Sequence, residues 1–347
     1  PNFPYREPSE ISEIRKELPR ETYRFEVTLS EDHLFDKIYG AWLGRCAGCL
    51  LGKPVEGLNK EEIEVYLKAA GAYPLCDYFP PIPRFAGDAP KRLVERINRI
   101  LQNRIGMLQG SISRMVRDDD IDYTIIGLHV LERYGLDFTT MNVGESWLSL
   151  LPYWQVYTAE RAAYRNLVNG LEPPQTAVYM NPYREWIGAQ IRADIWGYVA
   201  PGMPELAAEL AYRDARLSHV KNGIYGEMFI SAMLSAAFAV DKIEEIIEVG
   251  LSVIPQRSRL AEAVRDVVTW SKEFRHWEDA WYKVMEKYGH YHGVHTINNA
   301  ALVLLGLLYG DGDYERSITI SVMGGLDTDC NGATTGSIIG LMLGAKE

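Results

Sequence analysis

Apolar residues recur along most of the chain at three- and four-residue intervals, and strict alternation of apolar and polar positions is scarce. The spacing predicts helices over 33–52, 122–134, 204–217, 223–240, 242–252, 259–272 and 296–309, with a further helix across the C-terminal stretch. In the second of these, Ile121, Ile125, Leu128 and Leu131 share one stripe. Pro80-Pro81, Pro173-Pro174, Pro201-Gly202 and Asp311-Gly312 punctuate the pattern as breakers. No internal repeat of about 20–50 residues and no shift of composition marks a boundary. The expected architecture is all-α: one large helical domain over 33–347, preceded by an N-terminal extension over 1–32.

Two of the helices carry an unusual stripe. Gly40, Gly44, Gly48 and Gly52 repeat every four residues, and so do Gly332, Gly336, Gly340 and Gly344. Glycine at i, i+4 lies on one helix face. It costs up to about 1 kcal/mol per residue against alanine, so close backbone packing is the expected return. These are expected to be two central helices that pack on each other.

Charge narrows the class of partner. The chain of 347 residues has a net charge of −11. That balance argues against a nucleic-acid polymer or an anionic membrane as partner, and leaves phosphorylated small molecules open. No charge-free apolar run reaches about 18 residues, so no membrane span is expected. The first 24 residues are charged, contain proline and lack an apolar core, so no secretion signal is expected there. Cys46, Cys49, Cys76 and Cys330 are few and scattered, which fits a reducing cytoplasm. Cys46 and Cys49 have the spacing of a redox or zinc half-site but no partner pair, and are expected to be buried and inert.

The chemistry concentrates in two acidic clusters about two hundred residues apart. One is Asp118-Asp119-Asp120 with Asp122; the other is Gly324-Gly325-Leu326-Asp327-Thr328-Asp329-Cys330-Asn331-Gly332. Each opens a helix. Asp is a favoured N-cap, and negative charge is stabilised near a helix N-terminus, so one carboxylate per helix needs no other account. The remaining carboxylates exceed what capping uses. Buried charges persist only when paired or metal-bound, and oxygen-rich clusters suit a hard cation such as Mg²⁺ or Mn²⁺. A solvated acidic helix start and a metal site both remain open at this point.

Further polar and aromatic groups stand apart from the helical pattern. Residues 147–198 are rich in Trp and Tyr at irregular spacing, as core packing or as a wall that stacks on a base or sugar. His219 follows Ser218 near a helix start, where capping and core roles compete with a functional one. His290, His292 and His295 fall within six residues on a glycine-containing loop. They lack complementary Cys, which argues against zinc. His295, Thr296, Asn298 and Asn299 read as polar groups on the substrate side of a cleft.

Four segments resemble the ADP-ribosylglycohydrolase family in order. Gly40 to Glu56 is similar to the family's opening helix with its Gly-x-Pro-x-Glu turn, here Gly52, Pro54 and Glu56. Asp118-Asp119-Asp120-Ile121-Asp122-Tyr123-Thr124 resembles its metal motif. Gly188-Ala189-Gln190-Ile191-Arg192 followed by Ser218-His219 resembles its middle elements. Gly325 to Ala333 resembles its Gly-Asp-Thr-Asp-Thr-x-Ala signature.

The resemblance implies an all-α fold of orthogonal helices around a binuclear metal cleft, holding two Mg²⁺ ions or Mn²⁺. By position, Asp119, Asp120, Asp327 and Asp329 are implied as metal ligands. Asp118 and Cys330 stand where the family has Thr ligands, and Cys49 replaces an Asp common in the opening helix. A cysteine is a poor ligand for a hard cation, so its place passes to water, Asn331 or Thr328. Glu56, Asp119 and Asp329 are implied as catalytic carboxylates. His219 stands in a matched middle element and is expected on the substrate side together with His295, Asn298 and Asn299. The implied reaction is metal-dependent hydrolysis of an N- or O-glycosidic bond to an ADP-ribosyl or related ribosyl group, on a small molecule or a protein. Two alternatives stay open: a small-molecule nucleoside or nucleotide hydrolase, and a non-catalytic, crystallin-like binding or structural protein.

Overall fold

The structure, a computed structural model, describes residues 3–82 and 89–346. Seventeen α-helices and several 3-10 turns make up the described regular structure, with no β-strand and only two isolated bridges. No helix among them is long and apolar enough to cross a membrane.

The glycine stripes meet. The opening helix, Glu31–Gly52, starts with Ser30 capping His33 N–H and with Glu31 and Asp32 in its first turn. The closing helix, Thr328–Leu343, runs antiparallel against it. A Cβ at Gly44 would fall on the Gly336 carbonyl, one at Gly48 on Gly332, and one at Gly52 on Thr328. Only glycine lets the two backbones come this close. Thr328 Oγ1 donates to Gly52 O at 2.8 Å and Tyr314 OH to Gly44 O at 2.9 Å, which pins the register. That register sets the end of the opening helix beside the start of the closing one.

Around this pair lies the rest of the core. Every residue of Asn222–Ala236 is buried, as is nearly all of Thr296–Gly310. Helices apolar on all sides are the interior members of an assembly of this size. The other predicted helices stand at Asp119–Tyr134, Pro204–Ala215, Ile243–Ser252 and Arg259–Glu273. Asn222–Ala236 ends four residues before the expected boundary, where the chain turns at Ala237.

One predicted face is corrected. Ile125 and Leu128 are 53% and 45% exposed, so the middle of the predicted stripe faces outward, while Ile121 at its start is buried with Cys49 and Ala333 and Leu131 at its end packs against the core. The buried residues of the helix are Asp120, Ile121, Tyr123, Thr124, Ile126, Gly127 and Val130. The helix is turned to bring Asp120 inward, and two apolar side chains face outward.

The N-terminal segment packs on the main body. Ile14 is fully buried in the same core, Phe25 N–H donates to Gly202 O at 2.9 Å, and Glu7 pairs with Arg259 at 2.8 Å.

Candidate functional site

Three chain segments converge at the junction of the opening and closing helices. The first is the turn Lys53–Val55, which continues from the opening helix into Glu56. The second is the start of Asp119–Tyr134, where Asp118 is the N-cap and accepts from Asp120 N–H at 3.0 Å. The third is Asp327, next to the start of Thr328–Leu343. The first and third are stapled together. Leu326 N–H donates to Leu58 O at 3.1 Å and Gly57 N–H to Leu326 O at 2.9 Å. Gly325 has φ 83° and a Cβ there would strike Lys60 N, so glycine is required. Leu326 holds φ 67°, a costly conformation for a branched side chain, directly before Asp327.

The two acidic clusters form one. Oxygens of Glu56, Asp327 and Asp329 lie within 4.8 Å of one another. The same spacing holds for Asp120, Asp329 and Cys330 Sγ, and for Cys49 Sγ, Asp118 and Asp120. The floor is dry: the side chains of Asp120, Asp118 and Asp329 are 0%, 2% and 3% exposed. Glu56, at 37%, marks the side that meets solvent. Asp120 Oδ2, Asp329 Oδ1 and Asn331 Oδ1 are buried without a hydrogen-bond partner. Buried oxygens without partners are rare and costly, and need an account.

Two cations enter from the opening helix and the turn that follows it. Arg45 is fully buried and donates to Asp120 Oδ1 at 2.9 Å, to Asp120 O at 2.6 Å and to Asp194 Oδ2 at 2.8 Å. Lys53 Nζ lies 2.7 Å from Asp118 Oδ2, 2.7 Å from Asp329 Oδ2 and 3.0 Å from Glu56 Oε2. Arg104 also contacts Glu56, at 3.3 Å. No cation among the described residues forms an ion pair with Asp119 or Asp327.

The carboxylates respond unequally. Burial works to raise Asp118, but the Lys53 ammonium and the Asp120 N–H hold it below the usual range. Burial, then the charges of Asp118 and Asp120, push Asp119 well up. Burial raises Asp120 well above the usual range despite Arg45. Burial and Asp329 do the same to Asp327. Burial and Glu56 lift Asp329 to about 6 against the pull of Lys53. Burial and the acidic neighbours push both Cys49 and Cys330 well up, which keeps them as thiols. Such shifts mark a site that lacks positive charge.

Not every residue expected here is here. Cys49 is buried as expected and partly buried Cys46 packs against its cluster, while the Cys49 sulfur also lies beside Asp118 and Asp120. Asn299 does not face solvent: it is fully buried and braces the second cluster. Its Oδ1 accepts from Asp327 N–H at 3.2 Å and from Asn331 Nδ2 at 2.9 Å, while its Nδ2 donates to Gly293 O and His295 O. Asn298 is fully buried too and donates to His292 O. His295 is mostly buried and caps Thr296–Gly310 by accepting from Ile297 N–H.

His219 stands apart. It is fully buried beside Ser218 Oγ at 2.8 Å and Glu160 at 3.9 Å. There Arg192 binds Glu160 at 2.6 Å and Asp214 at 2.5 Å and lies over the rings of Tyr123 and Trp147. The two middle motifs therefore meet each other in a buried ion cluster under the Asp119–Tyr134 helix. The aromatic segment divides: Trp147 and Trp196 are core, Trp154 is exposed, and Trp186 stacks on His292 at 4.2 Å. Tyr291 stacks on His295 at 4.4 Å in the same loop.

Lys53 and Arg45 do not stand out in the sequence. Their signal is the spacing Arg45, Cys49, Lys53, one residue behind each of three stripe glycines. The face next to the packing stripe is thereby aimed at the carboxylates.

A family model described as ADP-ribosylglycohydrolase matches residues 30–347. The chain belongs to the ADP-ribosylglycohydrolase family. A solved structure titled "ADP-ribosylglycohydrolase-related protein complex" shares the fold, with a TM-score of 0.58 and 22% identity over 91% of this chain and 90% of that one. No curated protein matches the chain significantly. The all-α architecture is thus that of ADP-ribosylglycohydrolases, and family membership supports a glycohydrolase function.

Proposed function

We propose that this chain is a divalent-cation-assisted glycohydrolase that cleaves the C1 bond of an ADP-ribosyl or related ribosyl group. The observation that carries the reading is the pair of unpartnered oxygens, Asp120 Oδ2 and Asp329 Oδ1, in a dry cluster of carboxylates. The donor set fits a hard cation: it is oxygen-rich, and its two sulfurs are protonated thiols. Asp120, Asp327 and Asp329 would hold Mg²⁺ or Mn²⁺, with Asp118 and Asp119 at the edge. Asn331 Oδ1 is the hard oxygen beside Cys330 and takes the ligand role that the thiol serves poorly. A bound cation supplies a fix for the ribose hydroxyls and a more acidic water.

The chain's own residues do the rest. Cleavage at C1 passes through an oxocarbenium-like state, which needs a nearby carboxylate and a water on the attacked face. Glu56, on the solvent side and held by Lys53 and Arg104, takes the proton from that water. Asn299 holds the loop 293–295 against Asp327, so the stacked rings of Trp186, His292, Tyr291 and His295 form a rim for the base-bearing end of the substrate. His219 positions the Asp119–Tyr134 helix through the Arg192 cluster and does not touch substrate. The unpartnered oxygens also speak against a purely structural, crystallin-like role, which has no use for them.

The test is a panel of ADP-ribosyl-arginine, -serine and -asparagine peptides with free nucleosides and nucleotides, assayed with Mg²⁺, Mn²⁺ or EDTA. Release of the ribosyl product that stops in EDTA is expected. Hydrolysis unchanged by EDTA, or none across the panel, would contradict the proposal. Turnover confined to the nucleosides and nucleotides would identify a small-molecule ribosidase.

A further inference from the structure

Lys53 sits where positive charge is most needed. Its three ammonium hydrogens match three carboxylate oxygens, on Asp118, Asp329 and Glu56, at 2.7, 2.7 and 3.0 Å. Those oxygens come from all three segments that build the site, so the ammonium bridges the two acidic clusters. It is not a swinging surface lysine. Its side chain is only 20% exposed, its N–H donates to Cys49 O, Arg104 donates to its carbonyl, and Pro54 follows it.

An ammonium in contact with three carboxylates does the electrostatic task of a metal ion there. The same three oxygens cannot also close around a divalent cation, because the two charges would share one position and repel. What Lys53 leaves free are Asp120 Oδ2 and Asp329 Oδ1, both unpartnered, with Asp327 within reach of Asp329. We infer that Lys53 replaces one metal ion of the site, so that the chain holds a single Mg²⁺ or Mn²⁺, against Asp120, Asp327 and Asp329. The inference rests on the metal-assisted reading above. It makes the centre mononuclear, with a fixed organic cation as its second positive charge. Glu56, tied to that cation, keeps one position relative to the ion.

The experiment counts ions and needs no turnover. The full chain is loaded with Mn²⁺, desalted, and measured by elemental analysis and electron paramagnetic resonance, in the parent and in Lys53→Met. The parent should hold one Mn²⁺ per chain with the resolved hyperfine signal of an isolated ion. Lys53→Met should hold two per chain, with the broadened signal of a coupled pair. A coupled pair in the parent would overturn the inference, and so would a single ion in a folded Lys53→Met. No ion in either protein would overturn the metal centre itself, and the inference with it. Circular dichroism reports whether the variant folds; should it not, the parent's count and signal decide alone.

Discussion

The Arg45 guanidinium grips Asp120 twice, by Nη2 on the carboxylate at 2.9 Å and by Nε on the backbone carbonyl at 2.6 Å. Neither side chain is exposed, and Asp194 shares the same guanidinium. Removing one partner of a buried pair leaves the other charge uncompensated, which costs about 3–5 kcal/mol. Arg45→Met should lose about that much in denaturant unfolding. Arg45→Lys should recover little of it, because a point charge cannot reproduce the fork. A loss under ~1 kcal/mol in Arg45→Met would show that the pair does not hold the site together.

Gly48 tests the packing of the two central helices. A Cβ there meets the Gly332 carbonyl, which belongs to a buried backbone with no room to retreat. Gly48→Ala should destabilise the protein by about 1–3 kcal/mol or more through overpacking, despite the better helix propensity of alanine. Gly106, where an added Cβ would meet nothing within 4 Å, is the control: Gly106→Ala should stay within ~0.5 kcal/mol. Equal unfolding midpoints for the two variants would show that the helix contact does not require glycine.

Acid sensitivity should pass through His295. Burial lowers its pKa from 6.5 to about 4; Glu185 and Glu7 oppose the shift, and Arg259 and His290 add to it. The folded state therefore favours the neutral ring, and the unfolded chain binds the extra proton first. Stability from this residue is complete above about pH 6.5 and is lost as pH falls toward 4, by up to about 3 kcal/mol. His219, pushed well below its usual value by burial and Arg192, acts with the same sign. His295→Asn retains an oxygen to cap Ile297 and should unfold with a smaller difference between pH 7 and pH 5 than the parent. An unchanged difference would assign the acid loss elsewhere.

Glu56 carries the proton in the proposed reaction. Glu56→Gln keeps the shape and removes that function, so kcat should fall by roughly 10²–10⁴-fold with metal content unchanged. Single-turnover rates within about threefold of the parent would pass the role to an aspartate of the cluster.

The framework of the fold is more legible in the sequence than its wiring. Gly40 to Gly52 and Gly332 to Gly344 repeat at a helical interval that only close packing rewards, so their partnership can be read from the chain. Periodicity starts the Asp119–Tyr134 helix three residues late, because Asp118 and Asp119 read equally as loop or as cap and first turn. It also puts Ile125 and Leu128 on the core side, whereas the helix buries Asp120 with Tyr123, Thr124, Ile126, Gly127 and Val130, a rotation that apolar spacing does not reveal. Lys53 and Arg45 resemble any solvated cations on a helix, and only the folded register shows what faces them. Asn299 and His219 stand out in the sequence and read as substrate groups; the structure buries both, Asn299 against Asp327 and His219 beside Ser218 and Glu160, contacts that no one-dimensional pattern shows.

The central claim is that the two acidic clusters form one divalent-cation centre. Thermal melting in EDTA and then in excess Mg²⁺ or Mn²⁺, for the parent and for Asp329→Asn, tests it most directly. A ligand at about 100 times its Kd stabilises the folded state by ~2.7 kcal/mol. The parent should melt several degrees higher with metal than in EDTA, and Asp329→Asn should lose most of that rise while keeping its helical circular dichroism. Identical melting of the parent in metal and in EDTA would contradict the account.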